Sequence, residues 1–152
     1  MLNNNFIYIT RLIAFIIFLF TFFVYFDTMA PTVSYWDCGE FIAVSHTLGV
    51  PHPPGSPFFL LLGRILSILP FSEDIAFRVN IISPLVSALA VMLLYLSIVK
   101  VVTHWRGEIK NISDSLIVFG GGVSGALAFA FTDSHWFNAV EAEAVSYTHL
   151  TL

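Results

Sequence analysis

Three long apolar runs dominate this chain, at about residues 6–26, 79–102 and 116–140. Each reaches the ~20 residues that a helix needs to cross bilayer hydrocarbon. The third does so only with its interfacial end, because its strictly apolar part stops near Phe131. In lipid, every backbone N–H and C=O has to be satisfied inside its own segment, so these runs predict an all-α chain of polytopic transmembrane helices. Composition agrees: 11% of residues are charged, against about 25% in a soluble domain. The net charge of −4 excludes a nucleic-acid partner, which needs a basic face. Cys38 is the single cysteine and has no intrachain partner for a disulfide. The first run is longer than the core of a cleaved signal, and Thr28-Met29-Ala30 is a weak cleavage site. It reads as an uncleaved span.

Basic residues orient these spans. Lys100, Arg106 and Lys110 lie between the second and third runs, and Arg11 follows a short N-terminus. Placing these cations in the cytoplasm puts residues 27–78 outside, as one loop that starts and ends on the outer face. A further apolar run, Pro57–Leu69, contains Arg64 and is too short to span. It is expected to lie at the interface or to re-enter the membrane. The third span then carries Glu141 and Glu143 to the same outer face as Asp37 and Glu40. Gly121 and Gly125, inside the third span, have the small-xxx-small spacing of close helix packing.

The outer loop carries the chemistry. If a helix begins at Gly39, Asp37 sits at its N-cap and Glu40 at N3, the geometry of a capping box. Phe41, Val44 and Leu48 then form an apolar stripe for a helix on the membrane surface. A capped helix is compatible with a second role, a carboxylate held rigidly as a general base. His46 and His52 are six apart, which matches no regular metal spacing. Pro51, Pro53, Pro54, Gly55 and Pro57 predict a rigid turn into the next helix. Arg64 either snorkels to the interface or holds a ligand phosphate. Arg78 reads as an interfacial anchor. Trp136 and Phe137 fit an aromatic belt. Asn138 and Glu141, three apart, share a helical face.

The stretch SYWDCGEFIAVSHTLGVPHPPGSPFFLLLGRILSILP, followed downstream by WFNAVEAEA, resembles a family of multi-pass membrane proteins grouped with the protein O-mannosyltransferases. These look like members of the type-C glycosyltransferase (GT-C) superfamily. The resemblance covers about residues 32–143. It implies an integral-membrane enzyme that moves a mannose-like sugar from a polyprenyl-phosphate carrier to a protein Ser or Thr hydroxyl. The partners it implies are membrane lipid, the lipid-linked sugar and an acceptor protein. Asp37 would be the catalytic base, with Glu40 orienting the acceptor or supporting it. Arg64 would hold the carrier phosphate, His52 would contact substrate, and Glu141 with Asn138 would complete the pocket. No residue is assigned to a metal, although a divalent ion bridging phosphate and acids stays open.

The active face is expected to be periplasmic or lumenal, with a bacterial inner membrane preferred over the endoplasmic reticulum. Family members are much longer. The chain therefore reads as an N-terminal fragment, inactive alone, with residues 144–152 expected to be a non-native tail. The alternative reading is a structural or transporter-like membrane subunit without catalysis.

Overall fold

The structure is a computed structural model that describes residues 4–34, 37–52, 56–107, 109 and 111–142. The expectations for Glu143 and for the 144–152 tail fall outside these residues. Among the described residues all regular structure is helical. Three long helices are apolar enough to cross a membrane. The first is α1 (Asn4–Thr28). A loop then leads through α2 (Cys38–Thr47) and α3 (Pro57–Ile68) to α4 (Ile75–Asn80). The second long helix is α5 (Ile82–Arg106) and the third α6 (Ile112–Ala130), which is followed by α7 (Asp133–Ala139).

The second apolar run is divided at Ile81 into α4 and α5, and Pro84 gives the reason. It has no N–H to donate to the carbonyl four residues back, that of Asn80. The helix breaks at Ile81, between α4 and α5, and resumes with the Leu85 N–H on the Ile81 carbonyl at 3.2 Å. The break leaves the fully buried Asn80 side chain at the mouth of the bundle. Its amide nitrogen donates to the carbonyls of Ala30, at 2.8 Å, and Thr32, at 3.0 Å. The Cys38 thiol lies 3.8 Å from its amide oxygen. One side chain thus ties the exit of α1, the start of α2 and the α4–α5 break together.

The third run also ends early. α6 stops at Ala130, and the Thr132 N–H and hydroxyl both return to the Phe129 carbonyl, at 3.1 and 2.8 Å. Thr132 is extended (φ −70°, ψ 142°), and α7 starts anew at Asp133. The polar Thr132-Asp133-Ser134 step divides what hydropathy alone read as one span to residue 140. The Tyr25 hydroxyl donates to the Ala130 carbonyl at 2.8 Å and so takes up one of the acceptors left at the end of α6.

Two apolar cores result. The larger joins α1, α5 and α6 through Tyr25, Tyr95, Val118 and Ala126. α6 meets α5 on a stripe of Val118, Gly122 and Ala126, spaced by four. A Cβ on Gly122 would lie 3.0 Å from Tyr95 and Val99, and one on Gly125 would lie 2.9 Å from Ile98. Gly121, expected in this contact, faces open space. The close approach is therefore made by Gly122 and Gly125.

The smaller core lies under the loop and joins α2, α3, α4 and Ala142. The buried face of α2 is Cys38, Phe41, Ile42 and Ser45. Leu48, expected on the stripe, ends the helix in the left-handed region (φ 55°) and is exposed. α2 packs on α3 instead of lying alone on the membrane surface. The contact requires Gly63, because a Cβ there would lie 2.4 Å from Ser45 Oγ and 2.7 Å from Ser45 Cβ.

Gly63→Ala should therefore destabilise the loop by about 1–3 kcal/mol, the cost of overpacking a close contact. Adding Ser45→Gly should restore most of the loss, because both clashing atoms are removed. Thermal unfolding of the three variants in the same detergent checks this.

Candidate functional site

The first turn of α2 carries Asp37 and Glu40, with backbone already helical at Asp37 (φ −79°, ψ −2°). The Asp37 side chain makes no cap hydrogen bond. The expected capping box does not form, because Glu40 is engaged elsewhere. Its Oε1 accepts the backbone N–H of His52 at 2.8 Å, and its Oε2 lies 2.7 Å from His52 Nδ1. The chain returns from α2 through the buried Pro51, which sets His52 over the start of the helix it has just left. Phe41 packs near the imidazole, with ring centroids 6.1 Å apart.

Glu40 binds two consecutive donors of one residue and so fixes the imidazole. With Nδ1 carrying its hydrogen toward Glu40, Nε2 is left facing Asp37 Oδ2 at 3.7 Å. The two groups shift each other's titration. The His52 hydrogen bonds, side chain first, hold the Glu40 carboxyl below its ordinary value. The Glu40 hydrogen bond, with the charges of Glu40 and Asp37 added, holds the His52 imidazole above its own. All three side chains are exposed, so these are surface effects screened by solvent. Asp37, Glu40 and His52 each offer one ligand atom, all within 4.8 Å of one another. Two carboxylate oxygens and an imidazole nitrogen are a donor set that a divalent transition metal accepts.

The other expected site residues lie apart from this cluster. Arg64 donates from Nη1 to the His46 carbonyl in the last turn of α2. That end is roughly 13 Å from Asp37 at 1.5 Å rise per residue. Arg78 does the same for α3, donating to the Ser67 carbonyl at 2.9 Å and the Ser72 carbonyl at 2.6 Å. Both guanidiniums thus serve helix C-termini, where carbonyls lack partners and positive charge is favoured. Asn138 gives an amide hydrogen to the Ser134 carbonyl, at 2.7 Å, on its own helix.

Glu141 is buried, and its Oε2 has no hydrogen-bond partner among the described residues. The residues on either side of it are fixed. Val140 accepts the Ala30 N–H at 2.9 Å, and Ala142 packs in the core beneath α2. The second acidic motif is therefore bound to the base of the first loop.

Composition and spacing did not reveal the role of Asn80 or the pairing of Glu40 with His52. For Asn80 a signal existed, a lone amide four residues before a proline inside an apolar run.

Comparison with known proteins shows the family. A family profile described as the protein O-mannosyl-transferase TMEM260 N-terminal domain matches residues 37–152. The chain belongs to this family. A relative from Dictyostelium discoideum, named protein O-mannosyl-transferase tmem260, is 32% identical over 130 residues. A mouse relative, named protein O-mannosyl-transferase TMEM260, is 34% identical over 115 residues. The matches cover 84% and 75% of this chain but 14% of each relative. The chain thus spans about one seventh of the length of these family members. Both are eukaryotic and give no support to the preference for a bacterial inner membrane. No solved structure matches the chain.

The Glu40–His52 pair sets a pH window for loop closure. The His52 contribution is complete below its ordinary value of 6.5 and is lost as pH rises through its raised folded value. The Glu40 contribution is present above its ordinary value of 4.5 and is lost as pH falls through its lowered folded value. The loop should therefore be held best between those two ordinary values. NMR titration of the imidazole should give a His52 pKa above 6.5 that returns toward it in Glu40→Gln.

Proposed function

We propose that this chain is the N-terminal part of a membrane-embedded sugar transferase. In this reading it helps to move a mannose-like sugar from a polyprenyl-phosphate carrier to a protein Ser or Thr hydroxyl. The observation that carries the reading is the Asp37 carboxylate. It is exposed at the start of a braced helix, takes no part in capping, and stands beside an imidazole already oriented by Glu40. The names of the relatives support the reaction class.

The chemistry asks little of the protein. Phosphate is a good leaving group, so no acid is required to expel it. Asp37 accepts the proton of the acceptor hydroxyl. The hydroxyl oxygen bonds to the anomeric carbon from the opposite face as the sugar–phosphate bond breaks. The electron pair leaves with the phosphate, and the anomeric centre inverts. Glu40 acts through His52 as a positioning residue. Through that contact the imidazole is held with Nε2 3.7 Å from Asp37, which fixes the polar neighbour of the base. Arg64 braces α2 from its far end. Glu141 is buried, and its Oε2, unpartnered among the described residues, is an acceptor open to a donor on a ligand. The reaction face is the one on which the first loop lies, and the remaining pocket walls belong to the longer family members.

The test uses a full-length relative in membranes, with substitutions at the equivalent positions. Asp37→Asn keeps size and shape and removes the base. It should lower transfer from polyprenyl-phosphate mannose by roughly 10²-fold or more, the scale of general-base catalysis. Thermal stability should be unchanged, because Asp37 makes no cap bond. Glu40→Gln should give a smaller loss with an altered pH profile. Near-normal transfer by Asp37→Asn removes it as the base.

A further inference from the structure

At the end of the bundle away from the first loop, α1 and α5 line an open-sided cavity of about 200 Å³. The helices run antiparallel, so the start of α1 meets the end of α5. The walls are apolar, from Phe6, Ile7, Leu96 and Val99, and the same cavity is lined by Arg11 and Lys100. Both cations are exposed, and neither makes a side-chain hydrogen bond or ion pair among the described residues. By contrast, Arg106 at the same end is paired with Asp114 at 2.5 Å.

Depth gives these two charges their meaning. Arg11 lies seven residues beyond the first described residue of α1, and Lys100 six residues before the last residue of α5. At 1.5 Å per residue each sits roughly 10 Å inside its helix end. The pair is therefore at matched depth, near the boundary of the hydrocarbon, where a charge without a partner is unfavourable. Among the described residues no acidic side chain lines the cavity. The chemistry that completes it is an anion carrying its own apolar chain.

We propose that the α1–α5 cavity binds an anionic phospholipid, with the headgroup phosphate between Arg11 and Lys100 and part of an acyl chain against Phe6, Ile7, Leu96 and Val99. A phosphodiester offers acceptors to both cations at once, and the chain occupies a cleft that water would wet poorly. This lipid is distinct from any sugar carrier used at the first loop, because it sits at the opposite end of the bundle.

The test measures lipids retained by the full-length protein in nanodiscs of mixed phosphatidylglycerol and phosphatidylcholine, by native mass spectrometry. Each surface cation contributes about a factor of five to anionic-lipid binding. The wild type should therefore prefer phosphatidylglycerol by roughly ten- to thirty-fold, and Arg11→Gln with Lys100→Gln should abolish that preference. Ile7→Trp fills the cleft, leaves both cations in place, and should release the same lipid. An equal retention of the two lipids by the wild type overturns the proposal. So does a preference that survives Ile7→Trp, which would mark diffuse attraction to the membrane surface. Crosslinking of Ile7→Cys to a protein segment, instead of to a photoactivatable lipid, also overturns it.

Discussion

The arrangement of the first loop depends on one buried amide. Asn80 sits where a proline has interrupted a membrane helix, and it binds two carbonyls of the chain that leaves α1. Those carbonyls belong to a loop at the edge of an apolar bundle, where water is a poor substitute for a protein donor. Removing the amide would leave two acceptors stranded and free the base of the loop. The same base receives Val140 from the far end of the chain, through the Ala30 N–H. Parts of the chain more than a hundred residues apart thus meet over a single polar side chain.

The membrane helices were legible in the sequence and their interruptions were not. Long apolar runs read as spans because bilayer thickness imposes a length, and α1 follows that length closely. A hydropathy pattern says nothing about a missing N–H at Pro84 or about the Thr132 hydroxyl turning back on Phe129. Both breaks are local hydrogen-bond events inside runs of otherwise uniform hydropathy. The glycine stripe shows the same limit. Spacing alone selected Gly121 with Gly125, whereas the rotation of α6 against α5, set by Tyr95 and Val99, selects Gly122 with Gly125.

The first loop divides in the same way. Residue type singled out Asp37, Glu40 and His52, because charged groups between apolar runs require a reason. Their relation was hidden, since Glu40 and His52 are twelve apart and meet only because the chain doubles back at Pro51. A three-residue spacing suggested a capping box, a local solution, and the longer-range hydrogen bonds to His52 displaced it. For Arg78 the sequence offered a cation at an interface, and for Arg64 that or a holder of a ligand phosphate. The carbonyl ends of α2 and α3, which engage them, exist only once those helices have formed.

α3 presents Phe59 and Leu60 inward to the loop core while Phe58, Leu61, Ile65 and Ile68 remain exposed on its other side. A helix that is greasy on both sides cannot rise into water, and its tight contact through Gly63 prevents α2 from sliding over it. The pair behaves as a float of fixed draught. The distance of Asp37 from the exposed apolar side of α3 is thus set by the packing of α2 on α3.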